Sequence, residues 1–137
     1  MSSTLWKTDK WFTSPWNFLA EATAGFDFAK GIKFHDVTLR DGEQQSGLIF
    51  SRDEKIALAD KMAELGIQRI EAGMPAVSSQ DREAILEIVK RHEGPGQPEI
   101  FAFARCTKAD VLKAVDCGVK GIVIEIPASE HVVQYAY

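Results

Sequence analysis

Short apolar runs alternate with amphipathic segments from residue 32 onward, and this alternation restricts the chain to a narrow set of folds. Runs beginning near Lys33, Ile67, Glu99 and Gly121 read as strands. Between the first two, Ser51-Arg-Asp-Glu54 has the reciprocal capping-box pattern. Ile56, Ala59, Met62 and Ala63 then recur at helical spacing until Gly66 ends the segment. A second helix is expected from about Ser79, with Ala84, Ile85, Ile88 and Val89 inward, stopping before Gly94-Pro-Gly-Gln-Pro98. A third is expected from Thr107-Lys-Ala-Asp110 to Gly118, with Val111, Leu112 and Val115 inward. Repeated strand–helix units imply a parallel α/β sheet with right-handed crossovers. A TIM barrel and a doubly wound sheet both satisfy that pattern.

Residues 1–31 form a different segment, an N-terminal arm. Trp6, Trp11, Trp16, Phe12, Phe18, Phe26 and Phe28 crowd it beside Pro15 and Gly25. Disordered tails are poor in aromatics, so the arm is expected to pack on something, as a cover for the domain's flank or a subunit neighbour, or as a lid. A short helix is expected from Trp16 to Thr23, with Ser14 as cap and Pro15 at its first position.

Composition excludes several classes of function. The 137 residues are 45% hydrophobic, enough for one globular core, and the net charge of −4 comes with no Lys/Arg cluster for nucleic acid or an anionic membrane. No run approaches the roughly 18 apolar residues of a membrane span, and the N-terminus has no secretory pattern. Cys106 and Cys117 form neither a zinc motif nor a disulfide framework and read as small core residues of a reduced, cytoplasmic chain.

Chemistry concentrates where the first strand ends. Ile32, Phe34, Val37 and Leu39 read as a strand, and Arg40 and Asp41 follow at once, at the end where parallel α/β architectures place ligands. Gly42 is expected to permit a sharp turn, and Glu43, Gln44 and Gln45 add polar groups. The stretch Asp36-Val-Thr-Leu-Arg-Asp-Gly-Glu-Gln44 resembles the opening motif of the metal-dependent TIM-barrel acyltransferases and lyases. That family, with a pyruvate carboxyltransferase-type domain, includes 2-isopropylmalate, homocitrate and citramalate synthases and hydroxymethylglutaryl-CoA lyase. Ile70-Glu-Ala-Gly-Met-Pro75 is similar to the family's second-strand motif. The resemblance tips the fold toward the barrel.

Its implications are specific. Asp41 matches a divalent-metal ligand, for which Mg²⁺ or Mn²⁺ suits carboxylate oxygen. Arg40 matches the catalytic residue that steadies negative charge on an enolate or alkoxide. Gln44, Glu71 and Arg105 match substrate-contacting positions. Glu71 is alternatively an orienter of Arg40, and Arg105 could hold Glu71 or a substrate carboxylate bidentately. The family completes its metal site with a His-x-His pair, whereas this sequence has His35, His92 and His131, none in that pattern. His92 and His131 read as exposed or structural, and His35 as no ligand. Glu125 falls inside the fourth strand, where a core-facing carboxylate would need a partner.

A TIM barrel takes eight strand–helix units and roughly 250 residues, so residues 32–137 are expected to supply its N-terminal half, incomplete at the C-terminus. The expected activity is a metal-assisted, Claisen-type condensation of acetyl-CoA, as co-substrate, with a 2-oxo acid. Homo-oligomerisation or pairing with the remainder of the barrel would close the sheet. The alternatives are a lyase of the same family running the reverse cleavage, a catalytically incomplete half-barrel serving as an assembly module, and a doubly wound binding module. A phosphate-cradling glycine loop, which would favour the last, is missing after the first strand.

Overall fold

The computed structural model describes residues 6–27 and 30–136. Phe28, one of the arm's aromatics, lies outside them. The chain divides into two compact units, residues 1–32 and 33–137.

In the first unit, Lys7 and Phe12 form an antiparallel bridge, and the Thr8 hydroxyl accepts the Lys10 and Trp11 amides at 3.1 and 3.2 Å. The Trp6 and Phe18 rings lie 6.3 Å apart. Instead of one helix from Trp16 to Thr23, a 3-10 turn spans Pro15–Phe18, capped by Ser14. A separate four-residue helix, α1 (Ala20–Thr23), follows it. Extended backbone at Leu19 breaks the run between them.

The second unit is a four-stranded parallel sheet in the order β1 (His35–Asp36), β2 (Arg69–Glu71), β3 (Glu99–Arg105) and β4 (Gly121–Glu125). Helices α2 (Arg52–Glu64), α3 (Ser79–Arg91) and α4 (Lys108–Asp116) connect the strands, and α5 (Glu130–Ala136) follows β4. Each connecting helix starts at a hydroxyl cap. Ser51 and Glu54 close the capping box on α2, Ser78 accepts the Asp81 amide at 3.0 Å, and Thr107 accepts the Asp110 amide at 3.3 Å. No helix of the described residues is long and apolar enough to cross a membrane.

Register divides the sheet into two faces. Ile70 and Ile100 pair across β2 and β3 and point into a core with Ile56, Ala59 and Met62 of α2, Ile85 and Ile88 of α3, Leu39 and Cys117. Each of these isoleucines contributes about 1.5–3 kcal/mol by leaving water. The opposite face carries His35, Arg69, Glu71, Glu99 and Phe101. Gly121 pairs with Phe101, and a Cβ at Gly121 would overlap the Phe101 ring.

Several expectations are corrected. The first strand is only two residues long, because the chain turns at Val37, whose carbonyl accepts three successive amides from Arg40 to Gly42. On α4 the buried residues are Asp110 and Ala114, with Cys117 one turn on. Leu112 and Val115 are 49% and 56% exposed, since at helical spacing they lie across α4 from Asp110, Ala114 and Cys117. Cys106 is exposed and only Cys117 is buried. Glu125 is exposed and faces no core. Two histidines are as expected. His92 is structural: it caps α3, meets Gln97 Oε1 through Nδ1 at 3.1 Å, and sits 3.2 Å from Asp60. His131 is exposed and packs its ring beside Tyr135, 4.8 Å away.

Candidate active site

The turn after β1 places the site's charged groups. Asp36 Oδ1 accepts the Thr38 amide at 2.9 Å, and the fully buried Leu39 pins the turn to the core. Asp41 then stands at the start of a 3-10 turn over Gly42–Gln44. Gly42 itself has an ordinary negative φ, so the turn does not draw on a glycine's freedom there.

Three of the residues expected from sequence come together. Arg40 Nε donates to Glu71 Oε1 at 2.5 Å, and its Nη1 donates to Asp41 Oδ1 at 2.9 Å. Its guanidinium carbon also lies 4.6 Å from the centre of the Phe103 ring. Glu71, 1% exposed, divides its oxygens between Arg40 and His35, whose Nε2 is 3.1 Å from Oε2. The His35 ring in turn meets Phe101 edge-on at 5.0 Å. A buried carboxylate with two partners on one side and a ring beneath the guanidinium on the other leave Arg40 little rotational freedom. A fixed guanidinium next to a cleft can stabilise a carboxylate or an oxyanion without reorganising.

That cleft, about 380 Å³, is lined by Arg40 and Gln44 together with Leu48, Met74 and Val77. Gln44 thus lines the same cleft as Arg40. Arg105 does not hold Glu71. Its Nε and Nη2 fork onto Asp110, in the first turn of α4, at 2.6 and 3.1 Å, whereas both Glu71 oxygens are taken by Arg40 and His35. The Arg105 guanidinium holds the Asp110 carboxyl below the ordinary carboxylate range, against the opposing effect of burial.

Sequence reasoning missed a second charged cluster. Lys55, on α2, is 1% exposed and pairs with Glu43 at 2.6 Å and with Asp81. The available signal was its position, since Lys55 falls on the same stripe as Ala59 and Met62. His35 also belongs to the site, through Glu71, and no pattern in the chain marked it.

A divalent metal does not fit these residues by themselves. Among the described residues no group of three or more His, Cys, Asp and Glu side chains could hold an ion. Asp41 offers one carboxylate, 60% exposed and already bonded to Arg40.

Comparison with known proteins bears on the family and the fold. Residues 31–137 match the HMGL-like family. The chain is 44% identical over 106 residues to the "Probable 2-isopropylmalate synthase" of Ignicoccus hospitalis, covering 77% of this chain and 26% of that protein. It is 40% identical over 113 residues to the homocitrate synthase AksA of Methanopyrus kandleri, covering 82% and 28%. The chain thus spans about a quarter of the length of these relatives. The crystal structure of a Bacillus subtilis HMG-CoA lyase superposes with a TM-score of 0.60 at 21% identity, over 77% of this chain and 36% of the lyase. The four parallel strands with their helices correspond to the first half of that TIM barrel. The match over residues 31–137, the identity to these synthases and the shared strand order lead to one conclusion: this chain belongs to the HMGL-like family.

Proposed function

We propose that this chain supplies the Arg40 side of an active site that condenses acetyl-CoA with a 2-oxo acid. The observation that carries the reading is Arg40 itself, clamped by Glu71 and Asp41 at the edge of a cleft, in a chain whose relatives are named as 2-isopropylmalate and homocitrate synthases. In such a condensation a base removes a methyl proton from acetyl-CoA, and the enolate carbon attacks the oxo carbon. The carbonyl oxygen then carries the negative charge until it takes a proton, and water releases CoA from the thioester. Arg40 would stabilise an oxyanion on this path, with Glu71 and Asp41 holding the guanidinium in place. Gln44 would contact the oxo acid, and Arg105, already forked onto Asp110, would meet a substrate carboxylate only from its exposed side. The described residues build no metal centre, so no step here runs through one. Asp41 is the carboxylate this chain would lend to a Mg²⁺ or Mn²⁺ ion.

The test is release of CoA thiol from acetyl-CoA with Mg²⁺ or Mn²⁺ and a panel of 2-oxo acids. Wild type, Arg40→Lys and Asp41→Ala would be compared. Release that requires the oxo acid and is lost in both variants supports the reading and identifies the substrate. Release indifferent to Arg40 overturns it, and wild-type silence with every acid overturns activity by this chain without the rest of the barrel.

A further inference from the structure

We propose that Lys55 is a positioning residue, a buried ammonium that sets the separation of the two walls of the cleft. The inference rests on the reading of that cleft as the substrate site. Lys55 reaches from α2 between two carboxylates, and each uses its second oxygen on the backbone of a different wall. Glu43 Oε2 meets Lys55 at 2.6 Å while its Oε1 accepts the Phe50 amide at 3.0 Å. Asp81 Oδ1 meets Lys55 while its Oδ2 accepts the Met74 amide at 3.3 Å. One wall, the segment through Gln44 and Leu48 to Phe50, and the other, from Gly73 to Val77, are thereby tied to a single nitrogen. The backbone around it leaves no slack. Gly73 has φ +146°, and a Cβ there would lie 3.2 Å from Lys55 Nζ and 3.3 Å from Asp81 Oδ2.

Stability alone does not account for a cation here. A buried ion pair replaced by apolar side chains of similar volume is often no less stable, whereas removing one partner strands the other charge. Methionine would fill the same space along α2 and pack against Ala59 and Met62. What methionine cannot do is donate hydrogen bonds to both carboxylates, so both Glu43 and Asp81 would lose the group that orients them toward the walls.

Amide hydrogen exchange followed by NMR on the 137-residue chain separates the two roles. In Lys55→Met, exchange at Phe50 and Met74 is expected to accelerate by at least roughly tenfold while Ile70 and Ile100 keep their rates. Lys55→Arg, which keeps the charge, is expected to bring both wall amides back to within roughly threefold of wild type. Wild-type rates at Phe50 and Met74 in Lys55→Met would overturn the proposal and leave Lys55 as packing. Equal acceleration across β2 and β3, or no recovery in Lys55→Arg, would overturn it too. Should Lys55→Met fail to fold, Glu43→Gln serves instead: it is expected to speed Phe50 exchange at least roughly fivefold, and an unchanged rate overturns the proposal. The same variants enter the condensation assay. Wild-type silence there would count against the condensation reading only, because exchange does not depend on turnover. With an active wild type, kcat is expected to fall at least roughly tenfold in Lys55→Met and to recover in Lys55→Arg, and an unaffected kcat in Lys55→Met overturns the positioning role.

Discussion

Arg40 Nε lies 2.5 Å from Glu71 Oε1, a contact between the turn after β1 and the last residue of β2 that gives the arginine a fixed direction. Glu71→Gln keeps the shape and removes the charge. It is expected to lower stability by about 1–3 kcal/mol in urea denaturation, because a buried partner loses its charge-assisted bond. It is also expected to reduce condensation at least roughly a hundredfold. Unchanged turnover in a folded Glu71→Gln protein would separate the carboxylate from the function of Arg40.

Asp41 is exposed, so its contribution is expected in binding, not in folding. Asp41→Asn should leave the unfolding free energy, measured in urea, within about 0.5 kcal/mol of wild type. Mn²⁺ affinity, measured by electron paramagnetic resonance titration of the active assembly, is expected to fall at least roughly tenfold. Equal affinities would remove Asp41 from the set of ligands.

Gly73→Ala combines an unfavourable φ with a crowded Cβ between Lys55 and Asp81. A loss of about 1–3 kcal/mol is expected by thermal or urea denaturation. Gly47→Ala is the comparison. It also has a positive φ, but its Cβ meets nothing within 4 Å, so only the backbone cost remains. Equal losses at the two positions would show that the crowding is relieved without cost.

The Arg105–Asp110 pair makes a prediction about acid. Its hydrogen bonds lower the folded pKa of Asp110 below the unfolded value of about 3.9. A lowered carboxylate stabilises the fold above the unfolded value and loses that contribution as pH falls through the folded one. The stability difference between wild type and Asp110→Asn is therefore expected to be level from about pH 7 to about pH 5 and to shrink below about pH 4. Urea midpoints across that range check it. A difference that does not vary with pH would mean that the pair contributes nothing through ionisation.

Much of this was legible because it is local. The serine and threonine caps, the stripe on α2 and the glycine after Leu65 announce helices from within a few residues, Glu71 ends β2 as the pattern suggests, and Arg40 and Asp41 follow β1 within one turn. What escaped depended on polar contacts that apolar spacing does not record. The apolar residues from Ile32 to Leu39 have the spacing of a strand, yet three amides converging on the Val37 carbonyl end it early. On α4, three aliphatic residues outvoted Asp110 until Arg105 was seen to reach it. Lys55 was not singled out at all, since the carboxylates that bury it lie twelve residues upstream and twenty-six downstream in the chain.

Gly121 reaches further than its own strand. The Phe101 ring that occupies the space above it also abuts His35 edge-on and lies 5.5 Å from the Arg69 guanidinium. Residues 101 and 121 consequently behave as a volume pair: a methyl group gained on β4 has to be matched by atoms given up on β3, or the displaced ring pushes on the imidazole that shares Glu71 with Arg40. Repacking the far edge of the sheet would retune the arginine on the near one.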